Sequence, residues 1–100
     1  LFCAGQIALH DGNVMCPGDM LGQIEAAMGN LETVLAAAGL SLVNVVRLNF
    51  YTTDVAKFLP HNHLIKTRLA AAGCQPSSTL SGVKRLAYPE LLIEIEATAA

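Results

Sequence analysis

Residues 19–39 read DMLGQIEAAMGNLETVLAAAG. Met20, Leu21, Ile24, Ala27, Met28, Leu31, Val34, Leu35 and Ala38 recur at steps of three and four, which makes one side of a helix continuously apolar. Gln23, Glu25, Asn30, Glu32 and Thr33 fall mostly elsewhere on the circumference. Asp19 suits the N-cap, and Gly39 suits the left-handed position after the last turn. Gly22, Ala26, Gly29 and Ala36 leave a second side almost bare. Two interior glycines cost about 1 kcal/mol each against alanine, so packing must support this helix. It reads as a core helix lying on a sheet, with nothing chemical on it.

The flanks supply the sheet. Residues 1–9 (LFCAGQIAL) read as a strand that is apolar on both faces and buried. Asp11-Gly12-Asn13 is a turn signal, with residues 14–16 as a short return strand. Residues 45–53 (VVRLNFYTT) form the clearest strand, with Val46, Leu48 and Phe50 on one face and Arg47, Asn49 and Tyr51 on the other. Asp54 opens a turn into a second helix with Pro60 at or near its first position. Leu64, Ile65, Leu69 and Ala72 give that helix its apolar side, and Gly73 its stop. Residues 77–83 (SSTLSGV) tolerate a strand. Residues 91–100 (LLIEIEATAA) alternate sharply, with Ile93, Ile95 and Ala97 opposite Glu94, Glu96 and Thr98.

This order predicts one α+β domain over residues 1–100, a two-layer fold with a mixed sheet and two helices on one face. The helices take the face of Val46, Leu48, Phe50, Ile93 and Ile95. The polar cluster of Arg47, Asn49, Tyr51, Glu94, Glu96 and Thr98 then lies opposite. Hydrophobic residues make up 53% of the chain and charged ones only 14%, which is little charge for the surface of so small a domain. An assembly that covers part of the sheet accounts for both facts.

Composition also excludes classes of function. The net charge is −2 and the pI about 5.8, with no basic cluster, so nucleic acid is a poor partner. No apolar run reaches the length of a membrane span. Cys3, Cys16 and Cys74 have no paired spacing, and the sequence holds no secretory apolar region, which points to reduced thiols in the cytoplasm. His61 and His63 point to different sides of a helix and make a poor chelate, so no metal site is expected. Of the thiols, only Cys74, in a loop, invites suspicion of reactivity.

Several motifs together resemble the Rid family, also called YjgF or L-PSP. They are Gly5-Gln6 after an apolar strand, Gln23, Asn30 and Leu31 on the first helix, and VLAAAGLSLVNVVRLNFYTTDVAKF. Asn62, Pro76 before a short strand, and the ending IEIEA at residues 93–97 follow in order. The likeness covers essentially all 100 residues. The family pattern begins roughly 20 or more residues before Leu1, so an N-terminal segment is expected ahead of this stretch.

The resemblance implies a chorismate-mutase-like (YjgF) fold and a homotrimer with clefts between subunits. It implies hydrolytic deamination of reactive imines or enamines to a keto acid and ammonia, without cofactor or metal. In the family an arginine holds the substrate carboxylate and a glutamate positions the attacking water. That glutamate falls on Glu94, and the family asparagine on Asn62. Gln6, Asn62, Ser78 and Thr79 are then the expected substrate-binding residues. The chain departs from the pattern elsewhere. The Ser-Gly-Gln turn reads Ala4-Gly5-Gln6, the arginine position holds Ser78, and a frequent cysteine two residues on reads Leu80.

A charge-assisted hydrogen bond contributes about 1.5–3 kcal/mol, so losing the arginine costs about one to two decades in binding. A cation from Arg47, Lys84 or Arg85 could replace it. Two readings follow. One is an enzyme in which Glu94 orients water. The other is a trimer that binds a small carboxylate, or a partner protein, without turnover. The older family labels of endoribonuclease and translation inhibitor fit this composition least.

Overall fold

A computed structural model describes residues 1–100. The long helix α1 spans Met20–Ala37. The Asp19 side chain accepts a hydrogen bond from the Gly22 N–H at 3.0 Å. At the other end Gly39 takes φ 74°. Its N–H bonds Ala36 O, and the Leu40 N–H bonds Leu35 O at 2.8 Å. These two bonds form a Schellman closure that satisfies the last carbonyls.

Met20, Ile24, Ala27, Met28, Leu31 and Leu35 are buried, as the spacing predicts. Leu21 and Val34, assigned to the same stripe, are exposed. Gln23, assigned to the polar side, is completely buried. Its amide is fully used there. Nε2 donates to Glu90 O at 2.9 Å and to Cys16 O at 3.3 Å, and Oε1 accepts from the Leu92 N–H at 2.7 Å. A buried amide is tolerated only with such partners.

The main sheet has the order β1-β6-β4-β5, formed by Phe2–Ile7 (β1), Val45–Thr52 (β4), Ser77–Gly82 (β5) and Ile93–Ala99 (β6). β6 is antiparallel to both neighbours, and β4 is parallel to β5. The result is the mixed sheet of a two-layer α+β fold, with the helices on one face. Leu9–His10 (β2) and Asn13–Val14 (β3) make a separate ribbon. Asp11 and Gly12, at φ 50° and 81°, close it as the primed turns of hairpins require. The first strand therefore ends sooner than the expected run of residues 1–9. It is an edge strand with Cys3 buried and Phe2 88% exposed, not one buried on both faces.

β4 carries a further correction. A register shift between Val45 and Arg47 turns Val45 inward and leaves Val46 51% exposed. A bulge of one residue exchanges the faces on either side of it. Beyond the bulge the expected alternation holds, with Leu48, Phe50 and Thr52 inside. Thr52 Oγ1 donates to Leu92 O at 2.7 Å.

The second helical region is divided. Asp54 caps a single turn, α2 (Val55–Phe58), by accepting from the Lys57 N–H. A 3-10 turn, Leu59–His61, contains Pro60, and α3 runs Asn62–Ala71. Pro60 thus precedes α3 and marks the break between the helices. Phe58 is buried against Phe50, with ring centroids 5.8 Å apart. Ile65 and Leu69 enter the core, whereas Leu64 faces outward. The core lies between these helices and the Leu48, Phe50, Ile93, Ile95 and Ala97 face of the sheet. No helix is long and apolar enough to cross a membrane.

Candidate functional site

The face of the sheet away from the helices holds the polar cluster. Register across β5, β4 and β6 aligns Thr79, Asn49 and Glu96 in one row and Ser81, Tyr51 and Glu94 in the next. Asn49 Nδ2 donates to Glu96 Oε1 at 2.9 Å, and Tyr51 OH donates to the same oxygen at 3.2 Å. The Tyr51 phenol is pushed above its usual range by desolvation first, then by the negative charge and hydrogen bond of Glu96 and the charge of Glu94. It therefore stays a donor at neutral pH.

Arg47 does not pair with Glu96, which shares its face of the sheet. Its guanidinium donates to Ser77 Oγ at 3.3 Å and to Thr79 Oγ1. The chain's ion pairs are His10–Asp11 and Arg68–Glu32. Arg47 stands opposite Thr98 while Glu94 stands opposite Tyr51. Four residues of strand, about 13 Å, separate their rows.

Glu94 differs from Glu96. It is half-buried, and no hydrogen-bond donor or cation of the chain engages its carboxylate. Its side chain lies over Gly5, where a Cβ would overlap the Glu94 carboxyl group. Gly5 sits in an irregular stretch of β1, where the register shifts between Cys3 and Gln6. The Gly5-Gln6 motif was visible in the sequence, but its reason, close approach of a carboxylate to backbone, was not. Gln6 itself turns back, its Nε2 donating to Ala4 O at 3.0 Å.

Ser78 and Asn62 are brought together elsewhere. Ser78 aligns with Leu48 and so lies on the helix side of the sheet, opposite in face to its neighbour Thr79. There a cleft of about 250 Å³ opens between α3 and β5. Phe50, Ile65, Leu69 and Cys74 form its apolar floor, and Asn62, Lys66, Gln75 and Ser78 its polar parts. Lys66, one helical turn beyond Asn62, was not among the cations singled out from the sequence; its spacing of four from Asn62 was the available signal. Arg85 and Lys84 lie exposed in the connection 83–92.

Cys74 is buried, donates to Val45 O at 3.5 Å, and has its thiol pKa raised by burial. That corrects the suspicion of reactivity, since the thiolate is the reactive form. No group of three or more metal-ligating side chains occurs.

Within the chain, then, the sheet separates the carboxylate of Glu94 from the cleft of Asn62 and Ser78. Gln6, Thr79 and Arg47 do not line that cleft.

Comparison with known proteins gives a consistent picture. The family profile described as Endoribonuclease L-PSP matches residues 1–100. The mitochondrial protein mmf2 of Schizosaccharomyces pombe is 35% identical over 100 residues, covering 100% of this chain and 79% of its own. The Escherichia coli K12 protein named "Putative reactive intermediate deaminase TdcF" is 27% identical, covering 99% of this chain and 77% of its own. The crystal structure of YyfB from Yersinia pestis, a Rid-family protein of unknown function, superposes with a TM-score of 0.86 at 38% identity, over 99% of this chain and 76% of that one. The structure of E. coli TdcF with bound serine also gives 0.86, at 28% identity, over 98% and 77%.

Proposed function

The chain belongs to the Endoribonuclease L-PSP (Rid, YjgF) family, and from that premise we propose that it hydrolyses reactive imines or enamines to a keto acid and ammonia. The observation that carries this reading is Glu94. A half-buried carboxylate, unpaired within its chain and held over a glycine, is placed to accept a proton from water.

The chemistry needs little more. Water adds to the iminium carbon as Glu94 takes one of its protons, giving a carbinolamine. Glu94 returns that proton to the nitrogen, the carbon–nitrogen bond breaks to release ammonia, and the proton of the remaining hydroxyl passes to the ammonia, leaving a carbonyl and ammonium. General base catalysis of this kind contributes about 10²–10⁴-fold.

We place the reaction between copies of the chain. Within one subunit the sheet stands between Glu94 and the Asn62–Ser78 cleft, and a homotrimer in which one copy's sheet face meets the next copy's cleft would join them. The uncovered polar face and the exposure of Phe2 and Val46 support such an assembly. The three unpaired cysteines fit a reducing compartment such as the cytoplasm.

The test uses an amino-acid oxidase to generate imines in situ and semicarbazide as a competing trap. Hydrolysis by the protein should spare the imine from the trap and release keto acid. Glu94→Ala should lower that rate by about 10²-fold or more with the circular dichroism spectrum and oligomer mass unchanged. An unchanged rate in Glu94→Ala would remove Glu94 from the chemistry. No rate over neutral, bulky and basic amino acids would leave a carboxylate-binding trimer as the better reading.

A further inference from the structure

The helix layer carries a hollow that shares no residue with the Asn62–Ser78 cleft. It measures about 770 Å³ and lies where the last turns of α1 and α3 meet the 3-10 turn Leu42–Asn44. We propose that this hollow is the docking surface for a second copy of the chain, related by a two-fold axis. The proposal goes beyond the hydrolytic reading and does not depend on it.

Three observations carry it. First, six of the nine lining residues are apolar, and they differ in size. Ala36, Ala71 and Ala72 contribute only methyl groups, while Val43 is 56% exposed. The same surface therefore holds a projecting side chain and room to receive one. Second, the charged residues of the hollow are one acid and one base, Glu32 and Arg68. Arg68 Nε and Nη2 both donate to Glu32 Oε1, at 3.1 and 2.8 Å. Glu32 Oε2 and Arg68 Nη1 have no partner within the chain. The pair thus still offers one acceptor and one donor. Third, the apolar surface continues along the seam between α1 and α3. Arg68 also lines a smaller hollow with Met28 and Leu64, and Leu64 is 39% exposed.

The balance of charge selects the occupant. An anionic partner would satisfy Arg68 and oppose Glu32, and a cationic partner would do the reverse. A two-fold copy answers both. An axis in the contact plane, perpendicular to the line from Glu32 to Arg68, sets Glu32 opposite the partner's Arg68 and Arg68 opposite the partner's Glu32. Exposed ion pairs add little affinity, so the apolar floor supplies the attraction and the four charges set the register. The trimer proposed above uses the sheet face and the α3–β5 cleft. Both contacts can therefore coexist, giving six chains, and without the trimer the two-fold contact gives two.

Sedimentation equilibrium of the 10.5 kDa chain tests this over a wide range of concentration. Wild type should approach an even number of chains, two or six. Val43→Glu buries an unpaired carboxylate in the contact and should weaken that association by about a hundredfold, leaving half the mass. Glu32→Arg and Arg68→Glu should each weaken self-association as well. Mixed together, these two charge variants should associate with one another. Each then meets the opposite charge across the contact, although the pair is broken within both chains. A role confined to the pair within one chain would give no such rescue.

An odd number of chains at every concentration would overturn the proposal and leave the hollow to a different partner. So would an even mass that survives Val43→Glu, or well-folded charge variants that fail to associate when mixed. Circular dichroism checks their helices. Should either charge variant unfold, the wild-type mass and Val43→Glu decide alone.

Discussion

A methyl group at position 5 would occupy the space of the Glu94 carboxyl group. What it meets is the end of a flexible side chain, not backbone, so the carboxylate can swing aside at little cost. Gly5→Ala is therefore expected to change stability by less than about 1 kcal/mol while reducing imine hydrolysis as far as Glu94→Ala does. Thermal unfolding and the semicarbazide assay check the two halves. Activity retained in Gly5→Ala would show that Glu94 works from a position other than the one over β1. At this scale the sequence shows residue types and spacing but not contacts. Glu94 was legible through its motif, whereas the lack of a neutralising partner and the proximity of Gly5 depend on cross-strand register. Lys66 was hidden among several exposed cations until α3 and β5 brought it to a cavity wall.

At the scale of elements, Gln23 ties α1 to the segment leading into β6. Its amide serves Glu90 O and the Leu92 N–H, and Thr52 Oγ1 serves Leu92 O. Both polar groups of the Leu92 peptide are thus held by buried side chains, two residues before Glu94. Gln23→Leu keeps the volume approximately and leaves the Leu92 N–H and Glu90 O without their partner. A lost buried partner costs about 1–3 kcal/mol per group, so a loss of about 2–6 kcal/mol is expected for the two, read as a lower urea midpoint at unchanged slope. An unchanged midpoint would mean that water satisfies both groups. The periodicity of α1, its caps and the alternation of β6 were all legible because they are local. Gln23 was placed off the apolar stripe because its partners lie 67 and 69 positions away. Val46 was read as inward because a bulge leaves no mark on an apolar run. The division of the second helix at Pro60 was half visible, since proline suits both a helix start and a break.

For the molecule as a whole, the two-layer order of strands and helices followed from patterning, and the mixed sheet with helices on one face agrees with it. Which strands are neighbours did not follow, because register and order come from tertiary contacts rather than from period. The sheet order has β6 between β1 and β4. Near Leu1 and Ala99 the outer pair is closed by main-chain bonds in both directions, at 2.6 and 2.8 Å. Of the four strands of this sheet, the central one is the last to be synthesised. Until residues 93–99 emerge from the ribosome, β1 has no sheet partner and β4 presents an unpaired edge, the kind of edge that recruits other chains. A nascent chain ending before Ile93 should therefore pull weakly on an arrest peptide and be held by chaperones, with folding force appearing only once the whole of β6 has cleared the exit tunnel. Strong force from a chain lacking β6 would show that α1 and β4–β5 fold without it. The strand that carries Glu94 is thus also the one whose emergence completes the sheet.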